Sequence, residues 1–145
     1  MEPIDAAAHW AHVWHDAWEA RDTEAIVALY APDAVFSTQA FRVPYQGRDG
    51  VRSYVAQAFD EEREPRVWIG VPIVEGNRAA IEWWAAVVEN DVEITLAGVS
   101  VLHFDAKGLV IEQRDSWNQG EGLREPPPGW GRSGSSAVDA PQDTE

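Results

Sequence analysis

Ala79-Ala80-Ile81-Glu82-Trp83-Trp84-Ala85-Ala86-Val87-Val88-Glu89, then Asn90-Asp91, then Val92-Glu93-Ile94-Thr95-Leu96-Ala97-Gly98-Val99-Ser100-Val101-Leu102-His103-Phe104: the reading of this stretch decides the fold. Two runs rich in β-branched and aromatic residues flank a dipeptide suited to a two-residue hairpin loop. With Asn90-Asp91 as that loop, counting outward pairs Glu89 with Val92, Val87 with Ile94, Ala85 with Leu96, Trp83 with Gly98 and Ile81 with Ser100. A third run, 109–117, follows Asp105-Ala106-Lys107-Gly108. Taken as a four-residue loop, this tetrapeptide pairs Phe104 with Leu109, Leu102 with Ile111, Ser100 with Gln113 and Gly98 with Asp115. One face then collects Ile81, Trp83, Ala85, Val87, Ile94, Leu96, Leu102, Phe104, Leu109, Ile111 and Trp117, and is expected to carry the core. The other face mixes Glu82, Glu93, Thr95, His103, Glu112 and Arg114 with Trp84, Val88, Val99 and Val101.

Three residues do not suit the apolar face: Ser100, Gln113 and Asp115. A carboxylate there is costly unless hydrogen-bonded, and desolvation raises its pKa toward the range useful to a general acid or base. Gly98, opposite Asp115 on this count, leaves a gap, with Trp83 beyond it. A carboxylate and an indole beside a hole suit a flat apolar ligand carrying one polar atom. The alternative is structural: Asp115 satisfies a backbone N–H or an arginine, and Gly98 marks a bulge where the sheet bends.

Upstream the period is helical. Trp10, Val13, Trp14, Ala17 and Trp18 fall on one stripe of a helix over 4–20. Asp22-Thr23 offers an N-cap for a second helix over 24–30, stopped by Pro32. A short strand follows at 35–38, and Val51, Tyr54, Val55, Ala58 and Phe59 mark a third helix ending in Asp60-Glu61-Glu62. Another extended run, 66–74, completes an antiparallel meander with those already named. Helices first and hairpins after give an α+β domain. Residues 1–120 form that domain, and 121–145, rich in Gly, Pro, Ser and acid, read as a mostly mobile tail.

Composition narrows the function. One domain is expected of 145 residues, with 45% hydrophobic residues to fill its core. A net charge of −14 repels a phosphate backbone and anionic membranes. With no cysteine, thiolate chemistry and disulfides are excluded. Met1-Glu2-Pro3-Ile4-Asp5 lacks a signal-peptide pattern, so the expectation is a cytoplasmic protein without nucleic-acid or membrane partners. His9, His12 and His15 wind around their helix rather than converging, and no metal or other cofactor is expected. Eight tryptophans are the outlier, because large rings are favoured in cores, apolar pockets and interfaces.

The order Ala28-Leu29-Tyr30-Ala31-Pro32-Asp33-Ala34-Val35-Phe36, then Tyr45-Gln46-Gly47-Arg48-Asp49-Gly50-Val51, then Arg114-Asp115-Ser116-Trp117-Asn118 resembles the SnoaL-like branch of the nuclear transport factor 2-like (ketosteroid isomerase-like) superfamily. The resemblance spans about residues 5–120. It implies a cone-shaped α+β barrel, three N-terminal helices packed on a curved antiparallel or mixed sheet with an internal pocket, and commonly a homodimer through the outer sheet face. Where ketosteroid isomerase carries its base, this chain has Thr38. Where epoxide hydrolases carry an Arg-x-Asp pair, it has Trp83-Trp84-Ala85. The acid of the last strand, Asp115, remains.

The reading is therefore a SnoaL-like small-molecule enzyme of isomerase, cyclase or hydratase/lyase type, acting without a cofactor on a hydrophobic compound such as a polyketide. Asp115 is the acid/base, Trp14, Tyr30, Phe36, Trp83 and Trp117 shape the pocket, and Gly98, Ser100 and Gln113 lie beside the acid. Its alternative is a non-catalytic domain of the same superfamily that binds an apolar molecule or a partner. His15 and Tyr30 are within reach of the pocket mouth, and His103 belongs to the outer face. Trp84, Val99 and Val101 on that face are expected to pair two copies.

Overall fold

The computed structural model describes residues 1–131. Helix α1 (Pro3–Ala20) starts with proline in its first turn, where no N–H is missed, and ends on Arg21 in the left-handed region at φ 55°. Asp22 then caps α2 (Thr23–Val27) by accepting the Ala25 N–H at 3.2 Å, the role its sequence position suggests. This helix is shorter than the expected 24–30. Tyr30 already belongs to β1 (Tyr30–Ser37), where it pairs with Val110, because the residues leading to Pro32 are held extended. After β2 (Tyr45–Gln46), α3 (Gly47–Glu61) buries Val51, Val55 and Phe59.

Five strands follow: β3 (Glu62–Ile69), β4 (Ile73–Glu75), β5 (Arg78–Glu89), β6 (Val92–Phe104) and β7 (Val110–Glu121). The order is β2-β1-β7-β6-β5-β3, with β4 also on β5. Every pairing is antiparallel except β1 with β7, so the sheet is mixed. It is curved and open, and the helices lie over one face of it in an α+β arrangement. The first hairpin has the register expected, Glu89 with Val92 through Ile81 with Ser100. Asn90 and Asp91 both have positive φ, 50° and 68°, as a two-residue loop matching strand twist requires.

The second hairpin differs. Asp105 N–H donates to Leu109 O at 2.8 Å, and Gly108 at φ 85° closes a loop shorter than four residues. Ile111 is then an extra residue, a bulge between the pairs Phe104–Val110 and His103–Glu112. Near the loop the faces are exchanged: Val110 is buried, whereas Ile111, expected inside, is exposed. Beyond the bulge the displacement totals two residues, which restores the side but changes the partners. Ser100 lies opposite Asp115, and Gly98 opposite Trp117.

The gap expected at Gly98 is accordingly absent. A Cβ there would stand 2.4 Å from Ser116 O and 2.5 Å from Trp117 Cβ, so this glycine serves the close approach of β6 and β7. On the outer face, residues beyond β7 turn back over the sheet. Thr95 Oγ1 donates to Gly122 O, Val71 N–H donates to Gly131 O, and Trp130 meets Trp84 with ring centroids 6.3 Å apart. Ala86, Val88 and Thr95 are buried there, while Trp68, Trp84, Val99 and Val101 stay partly exposed. Of the segment 121–145 read as a tail, Glu121 ends β7, 122–131 lie along this face, and the remainder falls outside the described residues.

Candidate functional site

Between α1, α3 and the inner sheet face lies a cavity of about 220 Å³. Its character follows from spacing. Trp10, Trp14 and Trp18, four residues apart, project from one side of α1 into it, and Tyr54, Val55 and Phe59 do so from α3. The sheet contributes Phe36, Ile69, Trp83, Leu96 and Trp117. Centroid separations of 5.7, 5.6 and 5.7 Å link Trp10, Trp14, Trp18 and Trp83 into one chain of indoles. At the rim stand the exposed Arg42, Gln57 and Gln119.

The three polar residues that did not suit an apolar face meet here. An indole N–H can only donate, and that fixes the direction of every bond behind it. Trp83 Nε1 donates to Ser100 Oγ at 3.0 Å, so the Ser100 hydroxyl turns its own hydrogen to Asp115 Oδ1 at 2.6 Å. Trp14 Nε1 donates to Tyr30 Oη at 3.2 Å, Tyr30 donates to Gln113 Oε1 at 2.5 Å, and Gln113 Nε2 donates to Asp115 Oδ1 at 2.9 Å. Both chains end on the same oxygen. Oδ2 has no protein donor among the described residues, and Asp115 keeps part of its surface open on the cavity. Burial pushes its pKa up to about 7, against the lowering effect of the bonds from Ser100 and Gln113. Such a carboxyl exchanges a proton readily near neutral pH.

A second acid shares the cavity. Glu62, first residue of β3 and opposite Glu89 of β5, is 4% exposed. Its Oε1 accepts the Trp18 Nε1–H at 2.9 Å, while Arg21 donates to its main-chain oxygen at 2.8 Å. Burial raises this carboxyl to about 7 as well; the Trp18 bond opposes the rise, and Glu89 and Glu61 add to it. Sequence reasoning missed Glu62 because Asp60-Glu61-Glu62 reads as the solvated end of a helix. The available signal was the period change immediately after it, which makes Glu62 a strand residue with one side inward.

Of the residues expected at the site, Trp14, Phe36, Trp83, Ser100, Gln113, Trp117 and Asp115 line the cavity. Tyr30 does not: it is fully buried behind the wall and acts through Gln113, its hydroxyl pKa raised by burial. Gly98 is also outside the lining. Trp117 is tied by Nε1 to Thr38 O at 2.9 Å, and Thr38 itself is buried with no partner for its hydroxyl. His9 and His12 are exposed, His15 lies beside Asp16 and Glu19, and His103 sits on the outer face 3.8 Å from Glu112. Among the described residues no three His, Cys, Asp or Glu gather as a metal site, and no helix is long and apolar enough to cross a membrane.

The profile of the SnoaL-like domain matches residues 11–113, most of the helices and sheet just described. This chain belongs to the SnoaL-like domain family. Two solved structures share the SnoaL-like fold with it. One is a hypothetical protein with a ketosteroid isomerase-like fold from Catenulispora acidiphila, in complex with trimethylamine: TM-score 0.66, 16% identity, over 74% of this chain and 83% of that one. The other is SalBIII, described as an epoxide hydrolase/cyclase-like enzyme in pyran ring formation in the polyether salinomycin: TM-score 0.70, 17% identity, over 82% and 95%. At these identities the likeness carries the fold. No curated protein matches this SnoaL-like sequence.

Proposed function

We propose that the cavity belongs to a small-molecule enzyme whose acid/base is Asp115, transferring a proton to or from a hydrophobic, polyketide-like substrate in an isomerisation, cyclisation or hydration/elimination. One observation carries the reading. An enclosed carboxyl has both its protein hydrogen bonds on Oδ1, and it keeps surface on an aromatic cavity. The bonds hold the group in place without neutralising it, and the desolvated surroundings bring its proton affinity to the working range. Family membership and the likeness to a cyclase-like enzyme support it. Trp14, Phe36, Trp83 and Trp117 shape the volume, and Ser100 and Gln113 orient the acid; Tyr30 supports Gln113 from behind.

The test is proton exchange. The protein is incubated in D2O with a panel of cyclic and polyketide-like ketones, and deuterium uptake is read by mass spectrometry. Uptake should occur with the wild type and fall by about 10²-fold or more in Asp115→Asn. Equal uptake in both would refute the assignment. Binding without uptake by either leaves the second reading, a non-catalytic ligand-binding domain, which the absence of the other branches' marker residues at Thr38 and Trp83-Trp84-Ala85 favours.

For the outer face we propose pairing of two copies around Trp84, Val99 and Val101, which remain partly exposed beside the strap that ends in Trp130.

A further inference from the structure

Glu62 raises a question that the acid/base reading of Asp115 leaves open. A carboxyl that is 4% exposed needs compensation, and only Oε1 receives it, from Trp18. Among the described residues no protein donor reaches Oε2. The nearest guanidinium, that of Arg21, is spent on the main-chain oxygen. The groups facing Glu62 do not repair this: Glu61 from α3 and Glu89 from β5 are acidic, and Arg21 at the end of α1 contributes the smallest effect.

The rest of the cavity has the same bias. Four carboxyls line it, Glu61, Glu62, Glu89 and Asp115, against one cation, Arg42, on an exposed loop. An anionic ligand is repelled. A neutral apolar ligand would fill the space but cut Glu62 off from water without offering it a partner. Aromatic rings, by contrast, present negative faces to a positive charge, and indole does so best. Trp18 is bonded to Glu62, and Trp83 packs on Trp18 at 5.7 Å.

We propose that the Glu62 end of the cavity receives a small organic cation, an alkylated ammonium group paired with Glu62 Oε2 and resting among the rings of Trp18 and Trp83. This inference rests on reading the cavity as the working site and deepens it: the hydrophobic substrate carries an alkylated ammonium group, anchored at Glu62, and presents its reacting part to Asp115.

Choline and its uncharged carbon isostere, 3,3-dimethylbutan-1-ol, have the same shape and differ in charge, and calorimetric titration of the full chain compares them. Choline should bind about tenfold tighter or more at pH 8. Because burial holds Glu62 near 7, a proton competes with the cation, and choline affinity should rise about tenfold between pH 6 and pH 8. Glu62→Gln keeps the acceptor for Trp18 and should abolish the tenfold preference and most of the pH dependence. Equal affinity of the two probes in the wild type, failure of both to bind, or a preference that survives Glu62→Gln would overturn the proposal. The pH series needs no variant. Equal probe affinities with deuterium exchange lost in Asp115→Asn would sink the cation and spare the acid/base. A Glu62-dependent preference with exchange intact in Asp115→Asn would do the reverse.

Discussion

Asp115→Asn should make the protein more stable above neutral pH and leave it unchanged in acid. Burial raises the carboxyl from its ordinary 3.8 to about 7, so the folded chain holds a proton that the unfolded chain has released. Below about pH 4 both states are protonated and the group has no effect. Between 4 and 7 stability is lost progressively as pH rises, and above 7 the whole penalty stands. A difference of this size corresponds to about 4 kcal/mol as an upper bound at 1.36 kcal/mol per pKa unit. Asp115 keeps part of its surface on the cavity, and screening there reduces the penalty to about 2 kcal/mol. Asparagine keeps an oxygen for Ser100 and Gln113 and carries no charge to desolvate. For a chain of this length, about 2 kcal/mol is a rise of roughly 5–10 °C in Tm. Thermal melts of both proteins at pH 4.0, 6.0 and 8.0 read it directly. A melting temperature at pH 8 below that of the wild type would show that the carboxylate is a structural anchor. A gain of equal size at pH 4 would show that the effect is unrelated to its charge.

Three further outcomes are expected. Ser100→Ala removes one of two donors to Asp115 Oδ1, raising its pKa further and moving the acid limb of the pH–rate profile of deuterium exchange upward; an unmoved limb would mean that the hydroxyl does not act on the carboxyl. Gly98→Ala drives a methyl into Ser116 O and Trp117 Cβ across adjacent strands and should cost about 1–3 kcal/mol or more in denaturant unfolding, whereas a loss below about 0.5 kcal/mol would contradict the close approach of β6 and β7. Trp84→Glu should convert the proposed homodimer to monomer in sedimentation, and a wild type that sediments as a monomer at micromolar concentration would refute the pairing.

What the sequence disclosed followed from how locally each feature is specified. Asn90-Asp91 sets its hairpin by itself, since two consecutive residues tolerant of positive φ fix both the turn and the register of β5 on β6. Asp105 to Gly108 leaves a choice of loop lengths, and the local pattern does not encode the bulge at Ile111, where β7 pairs with β1 on its other side. The side chains of Gln113, Asp115 and Trp117 were nonetheless placed on the correct side, because an error of two residues preserves parity. Glu62 was hidden for the opposite reason: its neighbours in sequence are solvated acids, and its burial comes from Trp18 and Glu89, which lie far along the chain. Tyr30 was read as helical on the strength of its neighbours, although parallel pairing with Val110 draws it into the sheet.

The line of indoles formed by Trp10, Trp14, Trp18 and Trp83 has an optical consequence. At centroid separations of 5.6–5.7 Å their transition dipoles couple strongly, so light absorbed by any one of them is shared by all before it is emitted. The protein should show an exciton couplet in far-ultraviolet circular dichroism, from the strong indole band there, and tryptophan emission of low anisotropy even in a rigid glass, where rotation is frozen. Since all four rings line the cavity, a guest that touches any one of them changes the emission of the whole series. The chain thus carries its own amplifying reporter of occupancy, readable without a label.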